Sequence, residues 1–373
     1  MTVVVGIPAE TAPGEARVAA TPDTVRKLLA LGAQVRVQAG AGTQAWFDDA
    51  AYAAAGAQLT DAAGAWAADI VLKVRAPQAH ELPGLRAGSL VVGLLEPHHE
   101  AGLAALAQAG VSAIALERIP RISRAQGMDV LSSQAGIAGY RAVIEAAARA
   151  RRFLPLMMTP AGTAKAARVV VLGVGVAGLQ AIATARRLGA QVEAFDVRPE
   201  TREQVLSLGA KFIDIDVGEA GAGSGGYARE LSAQAQQRQQ ELLADRLAAA
   251  DVIITTALVP GRAAPVLVRP EVVARMRPGS VIVDLAAAAG GNCPLTRADE
   301  IIEHGGVTLV GITNFPSLMA TDASTFFARN VLALLELLLR REGDAAPAVT
   351  LDCADEIINA ALLVQAGQRR NAA

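Results

Sequence analysis

Residues 168–196 run Arg168-Val-Val-Val-Leu172, Gly173-Val-Gly175-Val-Ala-Gly178, then Leu179 to Leu188, Gly189, Gln191-Val-Glu-Ala-Phe195 and Asp196. The apolar run Val169–Leu172 predicts a strand buried on both faces. Three glycines in the spacing G-x-G-x-x-G predict a turn into a helix over Leu179–Leu188, which Gly189 ends. Gln191–Phe195 predicts the next parallel strand, and it closes on an acid 23 positions after Gly173. Strand, glycine turn, helix, strand and acid in that order are the dinucleotide-binding fingerprint of a Rossmann-type domain. Gly173 makes the tight turn, Gly175 lets backbone approach a pyrophosphate, and Gly178 lets helix pack on strand. The helix N-terminus turns unpaired N–H groups and a positive dipole end toward phosphate. Asp196 is suited to accept hydrogen bonds from both hydroxyls of the adenosine ribose and to repel a 2′-phosphate, which favours NAD over NADP. Arg198, two residues on, has the opposite preference.

Outward from this turn, strands are expected near 168–172, 191–195, 211–215, 251–256, 280–284 and 307–311. The first third alternates in the same way. Strands are expected at Val3–Pro8, Gln34–Gln38, Asp69–Val74, Ser89–Leu95 and Ser112–Leu116, with a helix opened by Thr21-Pro22-Asp23 and ended by Gly32. A long helix over 133–151 is expected to cross between domains. Helices over 322–342 and from about 349 are expected to return to the first domain. The fold class is therefore α/β, with two Rossmann-like doubly wound parallel-sheet domains and an NAD(H) cleft between them. Their expected extents are 1–132 plus 318–373 and 133–317.

Composition narrows the function. The chain has 373 residues, 52% of them hydrophobic but only 3% aromatic, and a net charge of −2 with scattered basic residues. No nucleic-acid footprint is expected. Two cysteines, Cys293 and Cys353, give neither a disulfide framework nor a metal cluster, and His80, His98, His99 and His304 lack metal-ligand spacing. No bound metal is expected. The long uncharged stretch 305–321 is broken by Gly311, Asn314 and Pro316, so no membrane helix is expected. Gly218–Gly226 holds five glycines in nine residues, followed by Tyr227 and a polar run to Gln240. It reads either as a hinged lid tipped by one aromatic or as a surface loop.

Longer stretches carry a resemblance. They are Pro120-Arg-Ile-Ser-Arg-Ala-Gln-Gly-Met-Asp129, Leu131-Ser-Ser-Gln-Ala-Gly-Ile-Ala-Gly-Tyr140, Gly173–Leu188, Gly225-Gly-Tyr-Ala228, Thr255-Thr-Ala-Leu-Val-Pro-Gly261, Asp284-Leu-Ala286, Gly290-Gly-Asn-Cys293 and Thr313-Asn-Phe-Pro316. Together they resemble the NAD(H)-binding component of proton-translocating nicotinamide nucleotide transhydrogenase, in particular its short, separately encoded alpha subunit. The resemblance implies hydride transfer from NADH on this chain to NADP⁺ on a partner subunit, coupled to proton passage through a membrane-spanning subunit. It implies a homodimer in the cytoplasm, held peripherally at the inner membrane by an NADP(H)-binding beta subunit and the membrane subunit. By the same resemblance, Arg121 and Asp129 orient the NAD(H) head, Gln126 reaches toward the partner's nucleotide, and Ser132 binds the head. Tyr140 supports the loop and Tyr227 closes the lid. Ile122, Ser123, Arg124, Val176, Ala177, Val197, Arg198, Gly226, Gln239 and Leu258 are implied as further cofactor contacts.

The residue chemistry of 121–132 is compatible with this. Hydride transfer between two nicotinamides moves no proton at the reacting carbons and requires close approach and exclusion of water, without a general acid or base. The segment holds amide, guanidinium, carboxylate and hydroxyl groups and no histidine; the plainer alternative is a surface loop with its two arginines paired to Asp129. Alanine dehydrogenase shares much of the pattern. In that family a substrate-binding arginine and lysine would fall on Arg17 and Lys73. Its proton-donating histidine and aspartate, however, would fall on Gly93 and Ala288, which cannot donate. A non-catalytic NAD-binding regulator is the third reading.

Overall fold

A computed structural model of the chain describes residues 2–215, 232–259, 261–340 and 346–370. The chain forms two compact units, Met1–Gln134 with Pro316–Ala373, and Ala135–Phe315.

In the first unit, β1 (Val4–Ile7), β2 (Gln34–Gln38), β3 (Gln58–Thr60), β4 (Ile70–Arg75), β5 (Leu90–Leu94) and β6 (Ser112–Ala115) pair in parallel in the order β3-β2-β1-β4-β5-β6. Successive residues of a strand point to opposite faces, and both faces here are covered. Ile70, Leu72 and Val74 of β4 join Val25 and Leu28 of the helix Pro22–Ala30 and Phe327, Val331 and Leu335 of the helix Ala320–Leu338. On the other face Val71 packs on Trp66, and Val91 and Ala113 pack on Leu103 and Leu106 of the helix Glu100–Gln108. The expected start at Thr21 forms a capping box: Thr24 Oγ1 accepts the Thr21 N–H at 2.9 Å, and Thr21 Oγ1 accepts the Thr24 N–H.

The chain's tail departs from expectation. After the short helix Glu356–Ala361 it forms the strand Leu362–Gln365, antiparallel to β6, and then Gln368–Arg369. The expected parallel sheet is thus extended by an antiparallel edge.

The second unit has the strand order Lys211–Phe212, Gln191–Phe195, Arg168–Leu172, Val252–Thr255, Val281–Asp284, Val307–Val310, Ile301–His304. All neighbours are parallel except the last pair. Here too side chains alternate. Val169 and Val171 face Ala181, Ile182 and Ala185 of the helix Val176–Arg187. Val170 and Leu172 face Leu243 and Leu247 of the helix Ala233–Ala248. The chain leaves Arg168–Leu172 toward Gln191–Phe195 and returns on its other side at Val252–Thr255. This puts a topological switch point at the carboxyl end of the central strand, the usual place for a ligand in an open α/β sheet.

Two local features go beyond the sequence reading. The polar run to Gln240 ends in helix. From Ala233 it is a helix whose first turn is capped by Ser232, which accepts the Ala235 N–H at 3.2 Å, and it buries Ala235, Gln239, Leu243 and Leu247. The long helix begins at Val130 rather than 133, for a reason given below. Gly218–Gly226 and Tyr227 lie outside the described residues. Among the described residues, no helix is long and apolar enough to cross a membrane.

Candidate functional site

The glycine turn joins the central strand to the helix Val176–Arg187. Gly173 has φ +95°, and a Cβ there would stand 2.6 Å from Thr256 Oγ1. A Cβ on Gly178 would stand 1.9 Å from the Gly173 carbonyl oxygen, so only glycine lets the helix begin this close to the strand. Gly175 is the N-cap, carries no side-chain cap, and has open space where a Cβ would be. The first N–H groups of a twelve-residue helix therefore meet a clear approach, the arrangement that receives an anion. A pyrophosphate fits these donors.

Asp196 is wired into the turn. Its Oδ2 accepts the Val174 N–H at 2.7 Å and Arg198 Nη2 at 2.8 Å, and its Oδ1 accepts the Arg198 N–H and Nε, both at 2.9 Å. The carboxylate is buried and its charge is matched by Arg198. That hydrogen-bonded pairing holds the arginine's pKa above its ordinary value, despite the opposing effect of burial. The acid thus fixes the turn's geometry, and Arg198, read from sequence as a competing phosphate receptor, serves as its counter-ion. Val197 is half-buried against the core on the Leu172 side. Thr256 Oγ1 donates to the Gly173 carbonyl at 3.0 Å, bringing the next strand's end to the turn, and Leu258 is exposed two residues on. Gln239 is buried in the helix Ala233–Ala248. Val176 and Tyr140 are exposed and Ala177 is half-buried.

In the other unit, Ser123–Met128 form a six-residue 3-10 helix seated on buried Ala125 and Met128. Arg121, Ser123, Arg124 and Gln126 are exposed, and Ile122 packs on the core. Asp129 ends this segment and caps the next helix. Its Oδ1 accepts the Ser132 N–H at 2.9 Å and its Oδ2 accepts the Ser132 hydroxyl at 2.5 Å. This cap explains why the helix starts at Val130. Of the two arginines expected to pair with Asp129, Arg124 instead forks onto Asp355, Nη1 to Oδ2 at 2.7 Å and Nη2 to Oδ1 at 3.1 Å. Arg124, implied as a cofactor contact, thus ties the loop to the chain's tail.

Arg17 and Lys73 are both buried and both matched by carboxylates of the chain itself. Arg17 grips Glu15 through Nε to Oε1 and Nη2 to Oε2, each 2.7 Å, and donates Nη1 to Gln134 Oε1 at 2.8 Å. Arg75 Nε and the Ser317 hydroxyl also donate to Glu15. Burial opposes ionisation of Glu15, but these donors, Arg17 foremost, hold its carboxyl down at about 2. Lys73 Nζ lies 3.1 Å from Glu10 Oε2 and 3.2 Å from Glu81 Oε1. Burial raises the Glu10 carboxyl's pKa against the pull of Lys73. Asp284 is likewise committed, accepting from Thr255, Ala286, Cys293 and Thr296.

Three residues that hold these segments escaped sequence reasoning. Asn292, fully buried, pairs both ends of its amide with the backbone of Ala257, at 3.1 and 2.9 Å, and so fixes the segment leading to Leu258. Asn330 and Asp355 hold the 3-10 segment. The only sequence signal for Asn330 is a polar residue set among Phe326, Phe327, Val331 and Leu334 on an apolar helix.

A glycine turn closing on an acid, in one of two Rossmann-like α/β units, places the chain in the class of two-unit Rossmann-like proteins. Models of the N-terminal and C-terminal domains of alanine dehydrogenase/PNT match residues 6–138 and 142–372. The chain belongs to the alanine dehydrogenase/PNT family. It is 49% identical over 341 residues, 89% of each chain, to a Rhodospirillum rubrum protein named as the first portion of NAD(P) transhydrogenase subunit alpha. It is 30% identical over 357 residues, 91% of this chain and 86% of the other, to alanine dehydrogenase of Bacillus subtilis. The crystal structure of transhydrogenase from Sinorhizobium meliloti aligns with a TM-score of 0.89 and 46% identity, over 98% of this chain and 100% of that one.

Proposed function

We propose that this chain is the NAD(H)-binding alpha subunit of a proton-translocating transhydrogenase. In this reading it binds NADH and presents it to NADP⁺ on a separate subunit. The observation that carries the reading is the turn Gly173–Gly178 with uncapped helix N–H groups beside a carboxylate, which fits a pyrophosphate and its ribose. Bound NADH supplies the hydride. The chain's own groups then have only to bind, orient and exclude water.

The roles divide as follows. The N–H groups of Val176, Ala177 and Gly178 receive the phosphates, and Asp196, Val197 and Arg198 border the ribose. Gln239, Leu258, Gly226 and Tyr227 complete the nucleotide's surroundings. Arg121, Ile122, Ser123, Arg124, Gln126, Asp129 and Ser132 form the nicotinamide end, supported by Tyr140. The relatives' names imply partner subunits, and we assign a membrane-spanning subunit and an NADP(H)-binding beta subunit to this chain, on the cytoplasmic face of the inner membrane. A homodimer is supported by the hairpin Met157–Thr159/Gly162–Ala164, which leaves Met157 and Met158 exposed beside Phe153 and Leu156.

Alanine dehydrogenase is the weaker reading, because the histidine and aspartate that donate protons in that family would fall on Gly93 and Ala288, neither of which can move a proton. The test is direct. NADH should quench or shift in fluorescence on binding, and Asp196→Ala should weaken that binding about tenfold, the loss of one charge-assisted hydrogen-bonding group. NADH should be oxidised only when the NADP-binding subunit and an NADP⁺ analogue are added. Oxidation by pyruvate and ammonia alone would overturn the assignment.

A further inference from the structure

We propose that Asn330 and Asp355, both from the last third of the chain, are positioning residues that clamp the segment Arg121–Asp129 from behind; the inference rests on the reading of that segment as the nicotinamide end. Asn330, on the helix Ala320–Leu338, uses both ends of its amide. Its Nδ2 donates to the Gly127 carbonyl at 2.8 Å, and its Oδ1 accepts the Ser133 hydroxyl at 2.7 Å. One side chain thereby fixes the segment to the first turn of the helix Val130–Arg149. Asp355 does the same at the other end. It receives the fork of Arg124 while its Oδ1 also accepts the Ile357 N–H at 2.9 Å, so the cap of the helix Glu356–Ala361 is also the segment's anchor. Glu356 adds a longer contact to Arg124 at 3.6 Å.

The two clamps fall on either side of Gln126. Arg124 is held two residues before it and Gly127 immediately after it, while Ala125 is buried. The backbone of Gln126 is thus fixed on both sides, and its side chain is exposed. A direct transfer between two rings is sensitive to displacements of about 1 Å, which cost on the order of a hundredfold. Neither clamp touches Gln126 or Asp129 through its side chain, so both act on geometry, leaving the chemistry of those groups unchanged.

Two variants test this in the full chain. Asn330→Asp keeps size and acceptor but removes the donor to Gly127; Asp355→Asn keeps the cap but removes the charge from Arg124. Hydrogen exchange read by mass spectrometry should quicken about tenfold over 121–129 and stay unchanged in the helix Val176–Arg187. In the complex reconstituted with the NADP-binding subunit, single-turnover hydride transfer should slow about tenfold at saturating NADH, with affinity for NADH within about twofold of the parent. Unchanged exchange in both variants overturns the clamp, as does lost NADH affinity with an unaltered maximal rate. A parent protein that takes up no NADH would instead sink the function on which the clamp rests, while the exchange experiment still decides whether the clamp exists.

Discussion

The glycine turn at 173–178 and the segment at 121–129 are built on opposite plans. Most of what shapes the turn is backbone or lies nearer in sequence: Gly173 by its φ, Gly178 by the space it leaves, Asp196 through the Val174 N–H. Thr256 contributes from farther along the chain. The segment at 121–129 is held by side chains from residues 330 and 355, more than two hundred positions away. The turn uses covalent geometry, which tolerates almost no substitution. The segment uses hydrogen bonds between exposed or half-buried groups, each worth about 1 kcal/mol net. Under the proposed function this division is apt: a phosphate site requires fixed donors, whereas a segment that would meet a second protein can be held by weaker, adjustable contacts.

The sharpest way to break this comparison is Gly178→Val. Its Cβ would lie 1.9 Å from the Gly173 carbonyl oxygen, and backbone must move to relieve it. We expect a loss of about 3 kcal/mol or more in stability and a fall on the order of a hundredfold in NADH affinity, read by chemical denaturation and fluorescence titration. Alanine-like tolerance at this position would show that the turn is not set by backbone sterics.

Next in size is Glu15→Gln, which tests the side-chain-built unit where its charges are deepest. The Glu15 carboxyl is held at about 2 against an ordinary 4.5. A depressed carboxyl contributes stability that is complete above its ordinary value and lost as pH falls toward the folded value. The parent should therefore lose roughly 3 kcal/mol between about pH 4.5 and pH 2 from this group, and the variant should lack that portion of the pH dependence. At neutral pH the variant should be less stable by a similar amount, since Arg17 stays buried without its counter-ion. Coincident acid-unfolding curves for the two proteins would remove Glu15 from this role.

The smallest effect on binding is expected at Gln126. Gln126→Asn shortens an exposed side chain and leaves the clamps intact, so NADH affinity should stay within about twofold. Hydride transfer in the reconstituted complex should slow about tenfold. An equal loss in both would make Gln126 a binding residue and erase the contrast between the two regions.

Much of the fold was legible because it is local. The strands Gln34–Gln38, Arg168–Leu172 and Gln191–Phe195 lie where their apolar runs place them. The start at Thr21-Pro22 follows from hydroxyl capping and a proline's fixed φ. The tail was illegible for the opposite reason. Leu362-Leu-Val364 is a short apolar run that either helix or strand can use, and it became a strand only because β6 offers an unpaired edge some 250 residues earlier. The helix Ala233–Ala248 was obscured by its polar face, since only Ala235, Gln239, Leu243 and Leu247 are buried, with Ala244 and Ala248 packed beside them.

Within the site the same division holds. The sequence by itself determined the glycine turn and its acid, because φ at Gly173 and the close approach at Gly178 are matters of covalent sterics that follow from residue type. Only the tertiary structure decided that Arg198 neutralises Asp196, that Arg17 and Lys73 are committed to carboxylates, and that Asn330 and Asp355 hold the segment around Gln126. Hydrogen bonds and ion pairs depend on which groups the packed core brings within about 3 Å, and spacing along the chain does not encode that distance.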